Sequence, residues 1–136
     1  MESRKIELCN KIEEISRMVS FLEEIGCELS AQELFNVHLV LEEAVTNVIM
    51  YAYPQDEEHT LELTALWTEN ELVFKLIDTG KEFDPTAQPD ADVTLSLEER
   101  PVGGLGIFLI KSLMHKVEYN RVDGKNILTL VKHLDK

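Results

Sequence analysis

The hydrophobic and polar positions of the chain follow two different periods, one typical of helices and one typical of strands. Apolar residues recur at helical spacing over residues 12–25 and again over 34–52. Asn10 precedes the first pattern and Ser30 the second, and each has a glutamate three residues later, as a capping box requires. The sequence therefore predicts two amphipathic helices, the second of which ends before Pro54.

Strands are predicted where apolar residues alternate with polar ones or run together between turn residues. Alternation over residues 60–67 and an apolar run over 72–77 predict a hairpin joined by the polar turn TENE. The other predicted elements are a first strand at 4–8, a helix after Gly103-Gly104-Leu105-Gly106, and a hairpin of 117–122 and 126–134 across Asp123-Gly124. Because hairpins and helices mix without βαβ units, we expect an α+β fold, a two-layer sandwich with a mainly antiparallel sheet and helices on one face.

Length and composition indicate one folded domain. The chain has 136 residues, of which 44% are hydrophobic, enough for a core without disulfides or metals. Residues 86–102 carry Pro89, Pro101 and several acids without periodicity, so we expect a long surface loop within a single domain over residues 1–136.

The charge balance argues against two classes of partner. The chain has 13 Lys and Arg residues and 26 Asp and Glu residues, which gives a formal net charge of -13. This charge disfavours binding to nucleic acid and to anionic membranes. The excess acid either steers a basic partner or only keeps the protein dissolved. The N-terminus has no secretory apolar segment, and no apolar run reaches the roughly 20 residues of a membrane helix, so we expect a cytoplasmic protein.

The first candidate functional residues lie on the second predicted helix. Glu43 and Asn47 lie four residues apart and so point the same way, about 40° apart around the helix. Leu39, Val40 and Met50 flank them, which indicates a second covered surface such as a pocket wall. A carboxylate can accept a proton and an amide oxygen can hold a hard cation. The same pair also occurs by chance on ordinary helix surfaces.

Two further segments carry candidate binding groups. Asp78 ends an apolar strand, and Gly80 follows in a turn that permits close backbone approach. Alternatively, Asp78 only stabilises the turn through its own backbone. Glycines 103, 104 and 106 open a helix, where backbone N–H groups and the helix dipole favour a phosphate.

Together, LEEAVTNVIMYAY (41–53), DTGKEFDP (78–85) and GGLGIFLIKSLMHKVEY (103–119) resemble the GHKL superfamily of histidine-kinase-like ATPases, and most of all its anti-sigma factor serine kinase branch. The resemblance implies the Bergerat-type sandwich of that superfamily, Mg²⁺ and ATP as ligands, and an ATP lid at about 86–104. It also implies a sigma factor and an anti-anti-sigma factor as partners, and the family commonly forms homodimers.

The resemblance also implies residue roles. Glu43 is the candidate general base that activates a serine hydroxyl, and Asn47 would hold Mg²⁺ against the triphosphate. Asp78 would accept a hydrogen bond from the adenine amine, assisted by Gly80. The phosphates would be closed in by the base of the lid, which comprises Gly104, Leu105, Gly106 and Ile107.

Some features depart from the wider superfamily. Glu82 stands where sensor histidine kinases usually have a second glycine, and no segment resembles a dimerisation helix with a phosphoacceptor histidine. The closing strand, 126–134, does not identify the nucleotide-contacting threonine of the family.

The leading hypothesis is a serine kinase that also sequesters a sigma factor. The alternatives are a nucleotide-gated binding module without kinase activity and a sensor kinase fragment acting on histidine.

Overall fold

The computed structural model describes residues 2–25, 27–54, 56–84 and 104–134. These form one five-stranded antiparallel sheet and three α-helices, so the predicted α+β fold is confirmed. The strands are β1 (Glu2–Cys9), β2 (Thr60–Trp67), β3 (Glu71–Asp78), β4 (Lys116–Val122) and β5 (Lys125–His133). The helices are α1 (Ile15–Glu24), α2 (Ala31–Asn47) and α3 (Gly104–Leu113), with a short 3₁₀ turn at Ile12–Glu14 before α1.

The sheet has the order β1-β2-β3-β5-β4, and every neighbouring pair is antiparallel. The centre of the sheet is β3, which pairs with β2 along one edge and with β5 along the other. In the register of β3 and β5, Asp78 lies directly opposite Asn126. Residues separated by 48 positions in the chain therefore become neighbours at one end of the sheet.

One face of the sheet and the helices share a single hydrophobic core. The strand side chains of this core alternate with outward-facing residues, and on β2 they are Leu61, Leu63, Ala65 and Trp67. The matching residues of α2 are Val37, Leu41, Ala44 and Val45. Full burial of a Val or Leu side chain stabilises the folded state by about 1.5–3 kcal/mol. These contacts hold α2 against the sheet.

The start of α2 matches the predicted capping box. Ser30 Oγ accepts a hydrogen bond of 3.1 Å from the Glu33 N–H, and Glu33 Oε1 accepts one of 2.9 Å from the Ser30 N–H. Two N–H groups that the helix leaves unpaired are satisfied in this way. At its other end α2 continues as a wider π-helical turn over Val48–Ala52.

The predicted capping box at Asn10 is wrong. The residue that precedes the 3₁₀ turn is Lys11, which makes no side-chain cap, and Asn10 is buried elsewhere. Its amide donates a 2.9 Å hydrogen bond to the Glu57 carbonyl and accepts one of 2.8 Å from the His59 N–H. The amide thus ties the end of β1 to the segment before β2, a long-range contact that local sequence does not encode.

The hairpin of β4 and β5 turns as predicted. Asp123 has φ 50° and Gly124 has φ 77°, the left-handed pair that a two-residue type I′ turn needs. The predicted lid at about 86–104 lies outside the described residues, except for Gly104 at the start of α3. Among the helices that the structure describes, none combines the length and the apolar character that crossing a membrane requires.

Candidate functional site

A small cavity lies between the end of α2 and one end of the sheet. Its volume is about 30 Å³, which is room for about two water molecules, so a larger ligand must widen it. Most of its wall is apolar, and its polar lining comes from α2, β3, β4 and β5. The lining residues are Ala44, Asn47, Val48, Ala52, Leu76, Asp78, Phe83, Ile110, Tyr119, Asn126 and Leu128.

Two of the residues predicted from sequence meet in this cavity. Asn47 is the last residue of α2, and Asp78 is the last residue of β3. Only 9% of Asn47 and 4% of Asp78 remain exposed. Glu43 is half-buried one helical turn before Asn47 and is not part of the lining. The structure therefore places Asn47 and Asp78 in the wall of one cavity and Glu43 on the adjoining turn of α2.

The carboxylate of Asp78 is held by two hydrogen bonds to the same oxygen. Oδ1 accepts from the Gly80 N–H at 2.9 Å and from Nδ2 of Asn126 at 2.9 Å. Burial raises the pKa of Asp78 above its ordinary value, while these two hydrogen bonds and the nearby Arg121 charge act in the opposite direction. A buried acid with partly compensated charge is a group that can receive a donor from a ligand.

Gly80 allows the backbone after β3 to approach the backbone at Ala52 closely. A Cβ at position 80 would lie 2.3 Å from the carbonyl oxygen of Ala52. The next residue, Lys81, donates its N–H to that same carbonyl at 2.8 Å. The turn after β3 therefore docks directly on the π-helical end of α2, at a distance that only glycine permits. This contact brings Asp78 close to Asn47.

A second contact fixes the same turn. The hydroxyl of Tyr53 accepts a 2.8 Å hydrogen bond from the Thr79 N–H, and the Tyr53 ring stacks on His59 with centroids 4.4 Å apart. The turn after β3 is thus held by backbone and side-chain contacts to the segment that follows α2.

Sequence reasoning missed the contribution of the last hairpin. Asn126 of β5 donates to Asp78, and Tyr119 and Arg121 of β4 both donate to Asn126 Oδ1. Arg121 also donates to the Gly80 carbonyl at 2.8 Å. One sequence signal could have found Asn126: it stands in phase with the buried Leu128 and Leu130, which marks it as an inward-facing polar residue.

Comparison with known proteins decides the family. A model of the histidine kinase-like ATPase domain matches residues 8–132, nearly the whole chain. The chain belongs to this family.

Two kinds of named kinase are similar to this histidine kinase-like ATPase. The serine/threonine-protein kinase BtrW of Bordetella bronchiseptica is 33% identical over 104 residues, which cover 76% of this chain and 73% of that protein. The serine-protein kinase RsbW of Halalkalibacterium halodurans is 32% identical over 76% of this chain and 65% of its own length. RsbW of Listeria monocytogenes is 27% identical over 73% of this chain and 66% of its own. The matches span just under two thirds of both RsbW proteins. The predicted place of the chain in the serine kinase branch of the family is confirmed.

Gly104, Leu105 and Gly106 form the start of α3 in this histidine kinase-like ATPase. The helix begins at Gly104, so Leu105 and Gly106 belong to its first turn, where backbone N–H groups lack partners within the helix. Ile107 is buried with 2% exposed and anchors this turn. The site contact predicted for these residues stays a prediction.

Asn47 is the residue of the cavity wall that was predicted to hold a metal. The described residues contain no group of three or more His, Cys, Asp and Glu side chains with the geometry of a metal site. Mg²⁺ usually keeps several waters and binds one or two protein oxygens together with substrate phosphates. A single buried amide such as Asn47 fits that mode of binding.

Proposed function

We propose that the protein is a protein serine kinase that binds Mg-ATP, sequesters a sigma factor and phosphorylates an anti-anti-sigma factor on serine. One observation carries the proposal: Asn47 and Asp78 line the same cavity, and Glu43 lies one turn from Asn47. The relatives named as serine kinases support it.

In this proposal the cavity and its rim bind the nucleotide. Asp78 accepts a hydrogen bond from the adenine amine, and Gly80 holds the turn that carries Asp78 in place. Asn47 contributes an oxygen to Mg²⁺, which neutralises charge on the phosphates when it is bound. The phosphates approach the first turn of α3, where backbone N–H groups suit an anion. The residues of this turn are Gly104, Leu105, Gly106 and Ile107.

Glu43 is the proposed general base. It lies four residues before Asn47 on α2 and is half-buried, so a serine placed against the γ-phosphate would come within its reach. The hydroxyl proton moves to the Glu43 carboxylate as the serine oxygen bonds to the γ-phosphorus and the bond to the leaving ADP oxygen breaks. Binding of adenine and metal does not itself require a carboxylate at this position.

The proposed partners are proteins. The net charge of -13 disfavours direct contact with nucleic acid and with anionic membranes. The choice of a sigma factor and its anti-anti-sigma antagonist, in the cytoplasm, rests on the resemblance to the anti-sigma factor serine kinases. The chain is also proposed to form a single domain over residues 1–136, with an ATP lid at about 86–104. Two such chains would form a homodimer.

Phosphate transfer tests the proposal directly. The purified protein is incubated with Mg²⁺, γ-labelled ATP and a lysate of its native cells, and labelled proteins are analysed for phosphoamino acids. We expect phosphoserine on a small protein, and with Glu43→Ala the label on that protein should fall about 10²-fold or more. Acid-labile phosphohistidine would contradict serine transfer. ATP-dependent partner binding without any label would identify a nucleotide-gated binding module instead.

A further inference from the structure

Asn126 is a buried amide opposite the carboxylate of the site. It pairs with Asp78 in the register of β3 and β5, and only 5% of it is exposed. A buried amide is costly unless its donors and acceptor find partners. Its hydrogen bonds therefore show what this position is built to do.

All the hydrogen-bonding groups of the Asn126 side chain are used. Nδ2 donates to Asp78 Oδ1 and to the Lys81 carbonyl, both at 2.9 Å. Oδ1 accepts from the Tyr119 hydroxyl and, at 3.0 Å, from Nη1 of Arg121. A flipped amide would set its oxygen against a carboxylate and its NH₂ against a guanidinium. The orientation of the amide is therefore fixed by its surroundings.

The fixed amide determines which oxygen of Asp78 can meet a ligand. Within the part of the chain that the structure describes, both hydrogen bonds to Asp78 end on Oδ1, from Asn126 and from Gly80. The second oxygen, Oδ2, is the remaining acceptor of a carboxylate that lines the cavity. Asn126 has no hydrogen-bonding group left for a ligand, so its effect on a ligand is indirect, through the groups that it holds.

We infer that Asn126 is a positioning residue that makes the site selective for purines with an amino group at position 6, by occupying Oδ1 of Asp78 and leaving Oδ2 as the acceptor. This inference rests on the proposed nucleotide binding. Tyr119 and Arg121 take part by holding the Asn126 amide in the orientation that donates to Asp78.

The test compares two nucleotides that differ only at the selected group. Dissociation constants are measured by calorimetry, with Mg²⁺ in excess, for ATP and for purine riboside 5′-triphosphate, which lacks the 6-amino group. The variants are Asn126→Asp, whose carboxylate cannot donate to Asp78, and Asn126→Ala. Asn120→Ala is the matched control because Asn120 is an exposed residue of β4 in the same hairpin.

For the wild type and the control we expect ATP to bind about tenfold or more tightly than the amine-free nucleotide, as a hydrogen bond to a charged group predicts. Both Asn126 variants should lose most of this preference while the affinity for the amine-free nucleotide changes little. Tyr119→Phe removes one donor to Asn126 and should reduce the preference about two- to fivefold. This third variant gives a result even where an Asn126 variant does not fold.

The outcomes separate the inference from the proposed function. A wild type that binds neither nucleotide overturns the proposed function. A wild type that prefers ATP, with variants that keep the preference or lose both nucleotides equally, overturns only the role of Asn126.

Discussion

Asn126 Nδ2 donates a 2.9 Å hydrogen bond to Asp78 Oδ1 across the paired strands β5 and β3. The bond joins the last residue of β3 to a residue of the final hairpin, and it lies in the wall of the cavity that also contains Asn47. A carboxylate buried to this extent needs such donors to remain charged. The closing hairpin is therefore part of the candidate site.

The first prediction concerns the proposed base. Glu43→Ala should lower phosphate transfer by about 10²- to 10⁴-fold, the usual contribution of a general base, because the serine proton then has no acceptor. ATP affinity should not change, since Glu43 is not part of the cavity wall. Initial rates of transfer and calorimetric binding check both points. The matched control is Glu42→Ala, an exposed carboxylate of the same helix, which should retain full activity. Full activity of Glu43→Ala would refute the base assignment.

The second prediction concerns the metal. Asn47→Ala should weaken binding of Mg-ATP about tenfold or more, because a metal-ligating oxygen is lost, and should leave binding of ATP in EDTA unchanged. Titrations with and without Mg²⁺ give the comparison. Asn36→Ala serves as the control, since Asn36 is a half-buried amide of the same helix that accepts from Gln32. Equal losses with and without Mg²⁺ would show that Asn47 contacts the nucleotide and not the metal.

The third prediction concerns the cost of burying Asp78. In Asp78→Asn the side-chain oxygen can still accept from Gly80 and Asn126, but the buried charge is gone. We expect the free energy of unfolding at pH 8 to rise by about 1 kcal/mol, as for other stabilising changes at functional sites. Binding of ATP should be lost, because an amide directed by the same donors presents NH₂ to the adenine amine. Urea unfolding and calorimetry measure the two effects.

The pH dependence of this difference follows from the raised pKa of Asp78. A carboxyl whose pKa is higher in the folded state stabilises the fold below its unfolded pKa, and this contribution is lost as the pH rises through the folded pKa. The advantage of Asp78→Asn should therefore be largest at pH 8 and shrink in acid. A variant less stable than the wild type at pH 8 would mean that Arg121 and the hydrogen bonds outweigh the desolvation of Asp78.

The fourth prediction concerns Gly80. Gly80→Ala should destabilise the fold by about 1–3 kcal/mol, because the new methyl meets the Ala52 carbonyl at 2.3 Å and must displace backbone. Nucleotide binding should weaken as well, since the displaced turn carries Asp78. Gly124→Ala is the control: its new methyl would have no atom within 4 Å, and only the left-handed φ is strained. Thermal unfolding measures the destabilisation of each variant, and ATP titration below the transition distinguishes them, because only Gly80→Ala should bind ATP more weakly. Normal ATP affinity in Gly80→Ala would contradict the docking role of this turn.

Much of the fold could be predicted because it depends on local patterns. Alternation over residues 60–67 identified β2, the Ser30–Glu33 pair identified the start of α2, and Asp123-Gly124 identified the turn between β4 and β5. Asn10 shows where such reasoning fails. It has the spacing of a cap, but its amide binds the segment at residues 57–59, which only the folded chain brings near.

Part of the candidate site also follows from local sequence patterns, and part depends on the tertiary structure. The sequence by itself determined which groups are present, Glu43 and Asn47 on one helix and Asp78 at the end of a strand, because their positions follow from helical and strand periods. Only the tertiary structure decided that Asn47 and Asp78 share a cavity, through the contact of Gly80 with Ala52. It also decided that Asn126 holds Asp78, because strand register pairs residues far apart in the chain and no local pattern specifies that partner.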